Sequence, residues 1–302
     1  MWPSIGGHGH LFKLVGAASQ TCGDTMKAVL ILLALPAILL PLACFVYIII
    51  QALPALNWEL LMGSNTTSGS LFAGTAGTGH GLWGQISGSL LMMLLACFLA
   101  APLALSIALF HALWASPYQQ RMMVILLQVL QGIPPIVYGL CGLIVLVHLL
   151  HWGISLAAGG VILALVILPL LSSNAIHALE RIPIAQTESA KALGLSVGAV
   201  IVRVWLPSAW SSMLTGLLLA MARALSETAP ILFTATVFSG ITWPDSIFSP
   251  VTSLQTHIFY LAQEGSNAHA VDMAWASAAV LLGLVLCFSL MARLLRRYEG
   301  AL

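Results

Sequence analysis

The sequence predicts an all-α, polytopic membrane protein with six transmembrane helices. Three observations predict it. Of 302 residues, 60% are hydrophobic and 6% are charged, against about 25% charged in ordinary soluble domains, and the mean hydropathy is +1.02. Six apolar runs approach or exceed the roughly 20 residues needed to cross about 30 Å of hydrocarbon. Basic residues fall in alternate connections between those runs. A net charge of +1 leaves no basic face for nucleic acid.

The first run, Ala28 to Ile50, is uncharged but holds Pro36 and Pro41. Lys27 precedes it, yet its length and the lack of a small-residue cleavage site after a short core read as a retained anchor. Residues 1–26 are expected to form a mobile cytoplasmic tail, and residues 27–302 the membrane domain. The second run, Gly84 to Phe110, carries Pro102. The third, Met122 to Leu150, is interrupted by Gly132-Ile133-Pro134-Pro135. The fourth, Ile154 to Leu171, is short. The fifth, Ser211 to Phe238, contains a charged pair. The sixth is about Val271 to Met291. Proline is tolerated in spanning helices where neighbours satisfy the freed carbonyls.

Charge sets the orientation. Lys13, Lys27, Arg121, Arg181, Lys191, Arg203, Arg293, Arg296 and Arg297 fall on one side, and Arg223 lies within the membrane. The other side carries Glu59, Asp245 and Glu264, with Asp272 at the start of the last span. Both termini are therefore expected in the cytoplasm, in a cell (inner) membrane. Trp58, Trp83, Trp114, Trp152, Trp210 and Trp243 sit near boundaries and suit an interfacial belt, as ordinary packing also would. Outside, Gly63 to Gly69 reads as flexible. Leu254, His257, Ile258 and Leu261 share a helical spacing, so a short helix along the outer surface is expected.

Arg223 and Glu227 stand one helical turn apart, spaced to meet. A charge at mid-membrane costs roughly 2.5–3.5 kcal/mol on insertion scales. Two readings stand: a structural ion pair, or a lining for a polar route. Gly132, Pro134 and Pro135 likewise mark either a static kink or a hinge. Cys22, Cys44, Cys97, Cys141 and Cys287 show no CxxC spacing and read as small hydrophobes. His8 and His10 are the closest histidine pair, a weak metal motif, and no metal site or catalytic residue is assigned. No span holds a Ser/His or paired-Asp constellation, which argues against an intramembrane enzyme.

Between the fourth and fifth runs, about residues 172–209, a helix–turn–helix elbow is expected. Thr187 to Leu193 forms a short helix, Gly194 ends it in a left-handed conformation, and Ser196 caps a second helix over about Val197 to Val204. Pro207 then opens the helix of span five. Small side chains let another protein approach, though an ordinary amphipathic loop has the same shape.

Glu188-Ser189-Ala190, three residues, Gly194, nine residues, Val204-Trp205-Leu206-Pro207 resembles the EAA loop of ABC importer permeases. The run Arg223-Ala224-Leu225-Ser226-Glu227-Thr228-Ala229-Pro230-Ile231-Leu232-Phe233-Thr234 and the run Gly132-Ile133-Pro134-Pro135-Ile136-Val137-Tyr138-Gly139 are similar to two runs of the phosphate-specific permeases. Thr228-Ala229-Pro230 favours the A-type (PstA-like) subunit over its C-type sister.

The resemblance implies a type I ABC importer permease fold. It implies a phosphate importer in which Glu188, Ser189, Ala190, Gly194, Leu206 and Pro207 dock to an ATPase. Arg223, Glu227 and Thr228 are the expected substrate-pathway residues. The implied partners are a C-type permease, two ATPase subunits, an extracytoplasmic phosphate-binding protein and the lipid bilayer. No cofactor is expected in this chain: it has no GxxxxGK[ST], so ATP must be used by a partner, and the chain is not itself an enzyme. The alternatives are a permease for phosphonate, molybdate or sulfate, and an ATP-independent anion carrier or channel.

Overall fold

A computed structural model describes residues 8–57, 81–237, 243–264 and 268–299. The Gly63–Gly69 stretch, Glu59, Trp58 and the side chains of His8 and His10 lie outside the described part. The chain divides into two compact units, residues 1–51 and 52–302. The described residues of the first belong to one helix, α1 (His8–Ala52), with Pro36 and Pro41 inside it. The expected tail boundary at 26/27 falls within this helix. No proline stands between His8 and Leu35 to stop it.

The second unit is built on α2 (Trp83–Leu113) and α5 (Leu156–Glu180). On α2, Met92, Ala96, Ala100, Ala104 and Ala108 repeat every fourth residue and are all buried. On α5, Ala157, Ala158, Gly159, Gly160 and Ala164 answer them. Small residues let two backbones approach where lipid offers no hydrophobic drive for association. Met93, Ile167, Leu171, Leu225 and Ile231 fill the core between these helices and α8 (Leu206–Leu225), while α11 (Ala268–Glu299) packs against α8.

The third expected span is two helical pieces. α3 (Pro117–Gly132) begins with a capping box between Ser116 and Gln119. α4 (Pro135–Gly142) continues as a π-helical turn, Leu143–Leu149. The two pieces meet at 85°. Ile133 (ψ 126°) and Pro134 (ψ 133°) are extended, as residues before proline must be, and two consecutive prolines remove the donors a continuous helix needs. At 1.5 Å per residue α3 rises about 24 Å, short of the hydrocarbon thickness alone. Among the described residues five helices are long and apolar enough to cross a membrane, or six when this bent pair is taken as one broken span.

α5 ends at Glu180, and α6 (Ile184–Ala192) and α7 (Val197–Val200) follow. Two expectations about span five are corrected. The helix does not reopen at Pro207: α7 runs through a π-helical segment, Ile201–Trp205, directly into α8. A wide turn accommodates the proline, whose ring would otherwise press on the carbonyl four residues back. Nor is the expected run from Ser211 to Phe238 one unbroken helix, and Phe238 itself lies outside the described residues. The helix stops at Leu225, breaks over Ser226–Thr228, and resumes as α9 (Ala229–Thr234), because Pro230 cannot continue a helix through Ser226.

After α9, Thr236 and Val251 form an isolated parallel bridge. α10 (Leu254–Gln263) follows, capped by Ser253, whose hydroxyl accepts from the Thr256 N–H. The helix exists as expected, but it does not lie free along a surface. Leu254, Gln255, Thr256 and Leu261 are buried, and it packs on α11 and α2. Gly88 on α2 permits that approach: a Cβ there would collide with the Thr252 carbonyl oxygen.

Candidate functional site: a broken membrane helix and a helix–turn–helix elbow

The break after α8 brings the expected charged residues together. Arg223 lies in the last turn of α8 and Glu227 just beyond it, and Arg223 Nη2 is 2.7 Å from Glu227 Oε1. The pair is lopsided: the Arg223 side chain is 53% exposed and that of Glu227 only 9%. One guanidinium N–H therefore neutralises a sheltered carboxylate, and the rest of the donor fork faces out of this chain. Thr228 is half-buried at the start of α9 with no side-chain capping bond.

The break is held by contacts that sequence reasoning missed. The Gln255 Nε2 donates to the Leu225 carbonyl at 2.7 Å, an oxygen left without a helical partner at the end of α8. The Ser89 hydroxyl on α2 donates to Gln255 Oε1 at 2.9 Å and accepts from the Leu254 N–H at 2.9 Å. Ser226 turns its hydroxyl back onto the Ala222 carbonyl at 2.9 Å. Three elements thus fix the backbone beside Arg223 and Glu227. A polar Gln255 within the buried face of a short helix was the available signal. Its partners Leu225 and Ser89, 30 and 166 residues away in sequence, had none.

The bend residues lead into α4, which packs against α9. Gly132 and Pro134 are exposed and Pro135 is half-buried. Across the bend the Tyr138 hydroxyl donates to the Leu130 carbonyl at 3.0 Å. Gly139 is pressed against the start of α9: a Cβ there would stand 2.9 Å from Pro230 Cα and 3.1 Å from the Ala229 oxygen.

The elbow forms a second, separate place. Gly194 has φ +79°. Its N–H donates to the Lys191 carbonyl (2.9 Å), and the Leu195 N–H donates to that of Ala190 (3.2 Å), the paired bonds of a Schellman ending. The Ser196 hydroxyl accepts from the Ala199 N–H. The Trp205 indole N–H donates to the Thr187 hydroxyl at 3.0 Å, tying the π-helical segment back to α6. Between them lies an apolar groove of about 460 Å³, lined by Ala185, Ser189, Ala190, Leu193 and Val204 among others. Glu188, Ser189 and Pro207 are exposed, Leu206 is half-buried and Ala190 is buried. Leu193, 82% exposed, is an apolar side chain held out from the elbow. Among the described residues no three His, Cys, Asp or Glu side chains gather as metal ligands would.

Residues 102–298 match the family described as binding-protein-dependent transport system inner membrane component. The chain is similar to the phosphate transport system permease protein PstA 2 of Mycobacterium tuberculosis, 28% identical over 82% of this chain and 79% of that one. It is also similar to the phosphate transport system permease protein PstA of Xylella fastidiosa, 33% identical over 71% of this chain and 74% of that one. Among solved structures, the inward-facing MetNI methionine ABC transporter aligns with a TM-score of 0.53 at 16% identity, over 72% of this chain and 93% of that chain. That likeness speaks for the fold alone.

Proposed function

The chain belongs to the family of binding-protein-dependent transport system inner membrane components, the permeases of ABC importers, and on that premise we propose that it is the A-type membrane subunit of an ATP-driven phosphate importer. What supports phosphate is the similarity to PstA permeases together with Arg223. The observation that carries the reading is the half-open guanidinium beside one sheltered carboxylate, set at a break in a membrane helix. A planar donor fork suits the oxygens of a tetrahedral oxyanion. Glu227 lowers the net positive charge, so the anion is held briefly and let go.

In this reading the chain forms half of the pathway with a C-type permease, and an extracytoplasmic binding protein delivers the anion. Two ATPase subunits supply the work. The small-residue surface of α6 and the projecting Leu193 enter a groove on the ATPase, and its closure is passed through the π-helical segment into α8. Because α7 and α8 are one continuous run, a push on the elbow reaches Arg223 without crossing a flexible joint. Both termini and the elbow face the cytoplasm.

Uptake of labelled phosphate in cells lacking their own phosphate importers tests this directly. Expression with the neighbouring transporter subunits restores uptake, and excess unlabelled sulfate, molybdate or phosphonate leaves it in place. Competition by one of these anions better than by phosphate reassigns the substrate. Arg223→Gln lowers uptake at least tenfold at normal expression, and unchanged uptake makes Arg223 a structural residue only.

A further inference from the structure

A polar cavity of about 90 Å³ opens between α5, α8 and α11, apart from both places described above. Asn174, His177 and Arg181 line it from α5, Ser212 and Thr215 from α8, and Arg296 from α11. On liquid-water packing of about 30 Å³ per molecule, the space suits three waters or one small tetrahedral anion.

Its chemistry is one-sided. Asn174 Nδ2 and Thr215 Oγ1 are both buried with no hydrogen-bond partner among the described residues. Thr215 is only 3% exposed. Buried donors without partners are rare in folded proteins and call for an unseen partner. Arg181 and Arg296 add guanidinium donors, and neither is within ion-pair distance of a carboxylate among the described residues. Glu180, the acid nearest in sequence to the lining residues of α5, is taken up by His177 Nδ1 at 3.1 Å.

The helices are brought together for it. A Cβ at Gly216 would stand 2.9 Å from Asn174 Cβ, so only glycine lets α8 sit this near α5. Thr215 precedes Arg223 by eight residues, about 12 Å along the helix axis. A single small anion cannot bridge both.

We infer that α5, α8 and α11 enclose a second oxyanion site, centred on Thr215, Asn174 and Arg296, that takes a phosphate group. The group is either free inorganic phosphate or the headgroup of an anionic lipid reaching in past the exposed arginines. The site does not depend on phosphate being the transported substrate.

The test uses the transporter purified with the subunits that accompany it in a maltoside detergent, which carries no phosphate, and in an Arg223→Gln background to silence the other anion contact. Unfolding temperature is read with about 10 mM inorganic phosphate, with added phosphatidylglycerol, or with chloride at matched ionic strength. Phosphate or phosphatidylglycerol raises it by about 3 °C or more over chloride. Thr215→Val and Arg296→Gln each remove most of that rise, and Arg296, being exposed, serves if the Thr215 variant fails to assemble. A response to phosphate assigns the free anion, and a response to phosphatidylglycerol alone assigns the headgroup. No rise with either, or an equal rise in both variants, overturns the site.

Discussion

Gly139 and Pro230 are in backbone contact: a Cβ on Gly139 would stand 2.9 Å from Pro230 Cα. One lies past the bend of the third span and the other at the start of the helix that follows the break. The two irregular places in the membrane domain therefore lean on each other. Gly139→Ala forces two backbones apart and costs about 1–3 kcal/mol. Gly132→Ala, whose Cβ meets nothing within 4 Å, stays within about 0.5 kcal/mol of the wild type. Thermal unfolding of the purified transporter separates the two. Equal behaviour of both variants contradicts the contact.

Gln255 satisfies a helix-end carbonyl and the Ser89 hydroxyl at once. Gln255→Leu keeps the bulk and leaves the Leu225 oxygen unpaired, at a cost of about 1–3 kcal/mol. Phosphate uptake falls with it, because the backbone under Arg223 and Glu227 loses its anchor. An unfolding temperature equal to the wild type shows that the bond is idle.

At the elbow, Gly194 has open space around it but φ +79°. Backbone conformation alone decides what fits. Gly194→Asn is tolerated, since asparagine visits the left-handed region, whereas Gly194→Val is strained by about 1–2 kcal/mol or more. Co-purification of the ATPase subunit and transport-linked hydrolysis follow the same order. Intact coupling in the valine variant removes the elbow from the docking site.

His257, outside the spanning helices, faces the Ser277 hydroxyl at 3.1 Å, and burial pushes its pKa down to about 4 from 6.5. Between those values the unfolded chain takes up a proton that the folded chain refuses. Stability therefore falls as pH drops from 6.5 toward 4, by up to about 3 kcal/mol. Unfolding temperatures at pH 7.5 and pH 5 show the drop, and His257→Gln flattens part of it. An identical pH dependence in that variant contradicts the burial argument.

The spans were legible because lipid imposes length and apolarity on them. The Arg223–Glu227 contact was legible from its spacing, and the Gly194 and Ser196 caps from local backbone preference. What escaped reading was set by distant partners. Nothing near Ser89 announces Gln255, and nothing near Thr215 announces Arg296. The π-helical turns escaped because proline marks a disturbance without saying whether the helix stops or widens: Pro207 widened one, and Pro230 stopped another. The 85° angle at Pro134-Pro135 exceeds an ordinary proline kink because two residues in succession are extended.

On the proposed function, this chain moves an anion only when another subunit's ATP hydrolysis drives it. Proteoliposomes holding the complete complex, with binding protein and labelled phosphate outside and nucleotide sealed within, measure that most directly. Uptake is expected with ATP, and almost none with ADP or with a hydrolysis-dead ATPase subunit. Uptake by vesicles that contain this chain alone, at a rate indifferent to nucleotide, would contradict it.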